Sequence, residues 1–251
     1  MLKKELFLSK ILDKASRAEN TQRVEYSDFL DPSQRNIVNS ILDQREGVNY
    51  FFSGGYPGAE REVVVFRPDF ISEDDVEVTE IFKLLRVKPN KRDSLSHRDY
   101  LGALMGLGIK REKIGDILVG EDRCDIVILR EMAEYVSYNL QKVGNTRVDV
   151  ETADLSGIIT PELKVKIINT TVASLRLDCI SGAGFGISRT RASELIRGEK
   201  LNLNWEITDS VSKQVKEGDT ISIKGRGRIV VEKVAGTTRK GRINITIKKM
   251  V

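Results

Sequence analysis

The sequence predicts an α+β chain with a helical lead-in, a ferredoxin-like βαββαβ middle domain and a small, basic C-terminal domain. Three observations predict it. Apolar residues recur at helical spacing over the first 44 positions, and strand-like and helix-like runs between 76 and 155 follow one another as β-α-β-β-α-β. Positive charge gathers in the last third. Residues 176–251 hold 16 Lys and Arg against 8 Asp and Glu, whereas residues 1–175 hold 25 against 29, an asymmetry that the overall net charge of +4 hides.

In the first region, residues 1–75, Leu6, Phe7, Ile11 and Leu12 fall on one helical face. A second helix follows in "SDFLDPSQRNIVNSILDQ", with Pro32 early and Ile37, Val38, Ile41 and Leu42 on one side. The segment "VNYFFSGGYPGAEREVVVFRP" gives two apolar runs around a Gly-Pro turn, the pattern of paired strands. Glu60 and Arg61 read as solvated polar flanks of that turn, with an RNA-facing or interdomain ion pair as the alternative.

The middle domain, 76–155, is read as "EVTEIFKLLRV" strand, "SHRDYLGALMGLG" helix, "GDILVG" and "RCDIVIL" strands turning at Glu121 and Asp122, "REMAEYVSYNLQKVG" helix and "TRVDVET" strand. RNA-binding RRM domains share that order. They stack bases on aromatic residues of their central strands, and "RCDIVIL" has none, so that chemistry is missing. Residues 156–175 are expected to form a linker strand.

In the basic domain, 176–251, "ISRTRASELIRGEKLNLN" predicts a helix from Arg189 to Arg197, with Ser188 as N-cap and Gly198 in the left-handed C-cap position. At about 100° per residue, Ala192, Leu195 and Ile196 form the buried side and Arg189, Ser193 and Arg197 a polar stripe, with Arg191 on the opposite flank. A half-buried strand follows, Leu201 and Leu203 facing one way and Asn202 and Asn204 the other. "SGAGFG" ahead of the helix reads as a flexible loop, with backbone contact to a phosphate as the lesser alternative. "KGRGR" alternates so that Lys224, Arg226 and Arg228 fall on one face of a strand.

Like charges on one module attract a polyanion through counterion release, and for a cytoplasmic protein the common polyanion is RNA or DNA. Other chemistries lack their residues. His97 is the single imidazole, and its place at a helix start, beside a Ser96–Asp99 capping box, suits a cap or surface role. The H-R-D triplet there lacks the remaining kinase signatures. Cys124 and Cys179 are too isolated for zinc and read as reduced thiols. "SGGYPGAERE" matches neither a P-loop nor a dinucleotide fingerprint. We therefore expect no enzyme activity, no cofactor and no metal. No apolar run is long enough for a bilayer and the N-terminus is unlike a signal peptide, so no membrane contact and a cytoplasmic location are expected.

"LRLDCISGAGFGISRTRASELIRGEKLNLNW" with "KEGDTISIKGRGR" resembles an S4 RNA-binding domain of the αL type. Leu177 and Asp178 match its opening; Ser188, Arg189, Ala192, Leu195, Ile196 and Gly198 its helix; Asn204 its turn; Gly218, Asp219 and Ile221 its later strand. One departure is Trp205, where many S4 domains have Gly. With "FLDPSQRNIV", "FFSGGYPGAERE" and "SHRDYLGALMGLGIKREKIGDILV", nearly the whole chain resembles the bacterial YlmH family. The resemblance implies a non-catalytic, cytoplasmic protein binding structured rRNA or tRNA on the ribosome during translation, with protein partners in division or translation quality control as a further implication.

The RNA-binding residues expected are Ser188, Arg189, Arg191, Arg197, Lys200, Asn204, Lys224, Arg226 and Arg228. Arginine suits phosphate because its planar fork binds two oxygens at once. Two rival functions are a division-associated protein scaffold and an RNA-modifying enzyme targeted by its S4 domain. The second needs a catalytic Asp domain, a nucleotide site or an S-adenosylmethionine site, and residues 1–175 show no such signature.

Overall fold

The computed structural model describes residues 2–91, 94–158 and 165–250, and divides into two compact units, Met1–Pro161 and Glu162–Val251. In the first unit, α1 (Leu2–Thr21) buries Ile11, Ala15 and Ala18, and β1 (Glu25–Tyr26) follows. Asp31 caps α2 (Pro32–Leu42): its carboxylate accepts from the Gln34 N–H at 2.8 Å, and Gln34 returns a bond to the Asp31 N–H at 2.9 Å. Strands β2 (Tyr50–Ser53) and β3 (Val63–Phe66) pair antiparallel and complete a sheet ordered β1-β3-β2. β3 is buried throughout. Val64 and Phe66 pack with α1 and α2, while Val63 and Val65 face the other way, toward Phe29 and Phe82.

The rest of this unit comprises α3 (Val78–Ile81), β4 (Phe82–Pro89), α4 (His97–Gly106), β5 (Ile114–Val119), β6 (Cys124–Leu129), α5 (Arg130–Asn139), β7 (Lys142–Val143) and β8 (Thr146–Ala153). The strands form one antiparallel sheet ordered β5-β6-β4-β8-β7. Tyr100 and Leu104 of α4 and Val136 of α5 pack on one face of it, against Leu85, Ile126 and Ile128. The other face, with Leu84, Val127 and Leu129, packs on Val63 and Val65. Every residue of β6 is buried: five are aliphatic or small, and the sixth, Asp125, is paired with Arg86 and Arg123, so no face of the strand is left for a base.

Three expectations for this unit need correction. "EVTEIFKLLRV" is not strand throughout, because Val78–Ile81 makes one helical turn before β4 and tucks Ile81 into the core. The helix read through residue 144 ends at Asn139, where the chain turns into β7 so that Val143 is buried. Glu60 and Arg61 are not simply turn flanks. Asp116 of β5 fastens their loop, accepting from the Tyr56 hydroxyl at 2.6 Å and from the Glu60 and Arg61 N–H groups at 2.7 and 3.1 Å. The Arg61 side chain turns inward to the carbonyls of Ile114 and Phe29. The Ser96–Asp99 reading holds: the Asp99 carboxylate accepts from the Ser96 N–H at 2.8 Å.

The second unit holds β9 (Val165–Val172), α6 (Leu177–Phe185), α7 (Arg189–Arg197), β10 (Leu201–Leu203), β11 (Glu206–Ile207), β12 (Thr220–Ile223), β13 (Gly227–Thr237) and β14 (Ile243–Met250). Its sheet runs β11-β10-β12-β13-β14-β9 with antiparallel neighbours. The expected linker strand, 156–175, thus contains the edge strand β9, while 159–164 lie outside the described residues. Ile180 and Phe185 of α6 and Leu195 and Ile196 of α7 pack on Leu201, Leu203, Ile221, Ile229 and Ile247. "SGAGFG" is not a loop but the C-terminal half of α6. Its glycine is there for packing: a Cβ on Gly184 would lie 2.3 Å from the Ile229 side chain. Gly186, at φ 65°, then ends the helix.

Candidate nucleic-acid interface

Helix α7 spans Arg189–Arg197 as its sequence predicts, with Ala192, Leu195 and Ile196 buried. The Ser188 hydroxyl accepts from the Arg191 N–H at 3.1 Å, closing the N-terminus. The C-terminus differs from expectation. Gly198 has φ −85°, and the left-handed residue is Glu199 at φ 55°. The Glu199 N–H donates to the Ile196 carbonyl and the Lys200 N–H to the Leu195 carbonyl, both at 3.0 Å, a Schellman closure with Glu199 at its left-handed position. Gly198 is small for another reason: a Cβ there would lie 3.1 Å from the Glu194 carbonyl oxygen.

Ser188, Arg189, Arg191, Arg197 and Lys200 are all exposed, so this one helix and its exit bring five of the expected residues together. They are not equivalent. Arg191 is bound to Glu194 at 2.7 Å on its own flank. Arg189 donates through Nε at 2.6 Å to Asp178 of α6, whose side chain is only 2% exposed. Arg176 meets the other oxygen of the same carboxylate at 3.2 Å, and the Cys179 N–H adds a third bond at 3.0 Å. Burial works against the Asp178 charge, but the bonds from Arg176 and Arg189 outweigh it and hold the carboxyl below its usual range. One buried carboxylate therefore gathers two arginines from different helix ends and leaves both partly in solvent. Arg176 is absent from the sequence-derived set. The signal that leads to it is the R-L-D opening, with its Asp two residues on.

Asn204 is placed differently from a ligand. Its amide donates to Asp219 at 2.8 Å, its oxygen accepts from the Thr220 N–H at 2.9 Å, and its own N–H donates to the Thr220 carbonyl at 2.8 Å. It ties the end of β10 to the start of β12. Asn204 and Trp205 both have positive φ, 51° and 64°, and join Leu203 to its partner Glu206. This is the two-residue type I′ hairpin that the S4 pattern makes with Asn-Gly; the turn is retained with Trp at its second position.

The "KGRGR" expectation fails. β12 ends at Ile223, and Lys224, Gly225 and Arg226 form the hairpin turn, closed by the Arg226 N–H on the Ile223 carbonyl at 2.9 Å with Gly225 at φ 80°. Lys224 and Arg226 are exposed at that tip, and only Arg228 lies in a strand. Arg228 pairs with Ser222, which pairs with Asn202; this row alternates with the buried Leu201, Leu203, Ile221 and Ile229. Arg228 thus stands on the sheet face opposite α6 and α7, its guanidinium 5.6 Å from the centre of the Trp205 ring.

Comparison with known proteins places the chain in a family. The family model "YlmH, N-terminal" matches residues 3–70, "Putative RNA-binding domain in YlmH" matches 73–157 and the S4 domain matches 180–221. A Bacillus subtilis protein, "Ribosome-associated protein quality control protein P2", is 32% identical over 246 residues, 97% of this chain and 94% of its own. The chain belongs to the YlmH family. The chain is also similar to small ribosomal subunit protein uS4 of Desulfotalea psychrophila, 37% identical over 70 residues, 26% of this chain and 33% of that protein. The solved "Cell division protein ylmH from Streptococcus pneumoniae" has a TM-score of 0.54 at 23% identity, covering 64% of this chain and 96% of that one, and so shares the fold. In this YlmH-family chain the S4 match ends at residue 221, so Arg228 and the 224–226 tip lie beyond it.

Proposed function

We propose that this YlmH-family protein is a non-catalytic RNA-binding protein of the cytoplasm, acting in translation by gripping structured rRNA or tRNA on the ribosome through its S4 unit. The observation that carries the reading is the exposed basic edge of α7, with Arg189 and Arg176 braced on buried Asp178. Arg197 and Lys200 extend that edge, and Lys224 and Arg226 form a second basic tip in the same unit. Asn204 serves this surface as a clamp. Supporting it are the ribosome-associated name of the B. subtilis relative and the S4 and RNA-binding family models. Among the described residues no helix is long and apolar enough to cross a membrane.

The domain reading that accompanies it is 1–75, a ferredoxin-like domain over 76–155, the segment 156–175 and the S4 unit over 176–251. The order β5-β6-β4-β8, antiparallel at every step, supports the ferredoxin-like arrangement, with α4 and α5 as its helices. The test is sedimentation of cell extract at low and high salt, comparing wild type with Arg189→Glu/Arg197→Glu. Salt-sensitive travel with ribosomal particles that the double variant loses is expected. Wild type remaining at the top of a low-salt gradient refutes the ribosome reading.

A further inference from the structure

Trp205 occupies a position that works against it. At φ 64° it stands at the second residue of a type I′ turn, where a side chain costs conformational energy and glycine costs none. Such strain persists where the surroundings over-determine it, and it concentrates at functional sites. The ring is half-buried, yet it is not part of the hydrophobic core of its unit. What it meets is the Arg228 guanidinium at 5.6 Å, within cation–π range.

The surrounding surface has a definite chemistry. Ile207 pairs with Asn202 across the hairpin and is 63% exposed on the same sheet face as Arg228. Trp205, Ile207 and Arg228 thus make a small platform of one ring, one aliphatic side chain and one cation, on the face opposite the arginines of α7. It lies in the part of the chain that carries a twofold excess of Lys and Arg over Asp and Glu. That excess favours a polyanionic occupant. An indole with a guanidinium beside it suits one component of a polyanion in particular, an unpaired nucleobase, which stacks on the ring while the cation meets its phosphate.

We infer that Trp205 is a base-stacking residue, and that with Arg228 it forms a second contact surface for an unpaired nucleotide, distinct from the phosphate-binding edge of α7. The inference rests on the RNA-binding function proposed above and specifies a feature of the RNA: a base free of its duplex.

Trp205 is the single tryptophan of the chain, so its emission reports on the site directly. The full-length protein is titrated at low salt with single-stranded poly(A), with the poly(A)·poly(U) duplex and with inorganic polyphosphate, binding being followed independently by sedimentation. Stacking predicts quenching by poly(A) and little by duplex or polyphosphate. Trp205→Gly is expected to bind poly(A) about tenfold more weakly, with an unchanged salt slope and no loss of resistance to urea, because glycine relieves the turn. Trp205→Phe keeps most of the affinity. Equal quenching by polyphosphate, or equal poly(A) affinity of Trp205→Gly and wild type, overturns the inference and leaves the platform to a protein partner. Absence of binding to any of the three polymers overturns it together with the RNA-binding reading, whereas tight binding without quenching overturns it alone.

Discussion

Asn204→Ala separates two roles for one side chain, a ligand for RNA and a clamp within the fold. The substitution removes the bond to Asp219 and leaves the Thr220 N–H, in a residue 8% exposed, without its acceptor. An unsatisfied buried N–H costs about 1–3 kcal/mol. The bond to Asp219 adds about 1 kcal/mol, less than a fully buried charged bond, because Asp219 is half-buried and also accepts from the Lys216 N–H at 2.7 Å. Alanine at φ 51° adds about 1 kcal/mol that asparagine largely escapes. The terms share one turn and are not fully additive, so we expect about 3 kcal/mol for Ala and about 2 kcal/mol for Asn204→Gly, which escapes the backbone cost. For a domain this small, about 3 kcal/mol lowers the melting temperature by on the order of 15 °C. Urea unfolding followed by Trp205 emission measures it in the right unit. If Asn204→Ala unfolds within about 0.5 kcal/mol of wild type and instead loses affinity for ribosomal particles, the clamp is wrong and the residue is a ligand.

Two further substitutions probe the scaffold of the basic edge. Because the Asp178 carboxyl is held below its unfolded value, it stabilises the fold above about pH 4 and that contribution fades as pH falls through the folded value. Asp178→Asn should therefore be less stable at neutral pH and lack that part of the acid transition; matching pH–stability curves for the two proteins would show that the carboxylate is not the brace. Glu199→Gly places glycine where the backbone is left-handed and should raise stability by about 1 kcal/mol. A midpoint that falls, measured in the same urea titration, would mean that the Glu199 side chain has a role its position does not disclose.

What was legible in the sequence depended on how local the cause was. The span of helix α7 was readable to the residue because its N-cap hydroxyl and its buried triplet lie within one stretch, although its left-handed terminus falls on Glu199 and not on Gly198. The capping of α4 and the β2–β3 pairing were readable for the same reason. Helix α6 was not, since its glycines look like loop until Ile229, 45 residues away in the chain, is seen to need the space. "KGRGR" misled because alternation is shared by a strand and by a tight turn flanked by glycines. The Asp178 brace joins residues 11 apart, on two helices whose crossing no pattern announces. The lack of aromatic residues on β6 was legible from composition, but its reason is tertiary: β3 covers the face that carries Val127 and Leu129.

The basic residues of the C-terminal unit are differentiated by what holds them. Arg189 is tied to a buried carboxylate and Arg191 to a neighbouring glutamate, so part of the rotamer entropy of two long side chains is already lost before any ligand arrives. Arg197 stands in the last turn of α7 with Lys200 just beyond it, where the helix dipole favours cations. Fixed guanidiniums discriminate by geometry, since a phosphate must approach where the fork already points. Cations at a helix end act chiefly through charge, adding attraction that salt weakens. An RNA of the wrong shape but the same charge would then be attracted by Arg197 and Lys200 without engaging Arg176 and Arg189 together. If the α7 edge is the RNA surface proposed above, shape selection would reside in Asp178, a residue too buried to touch the RNA at all.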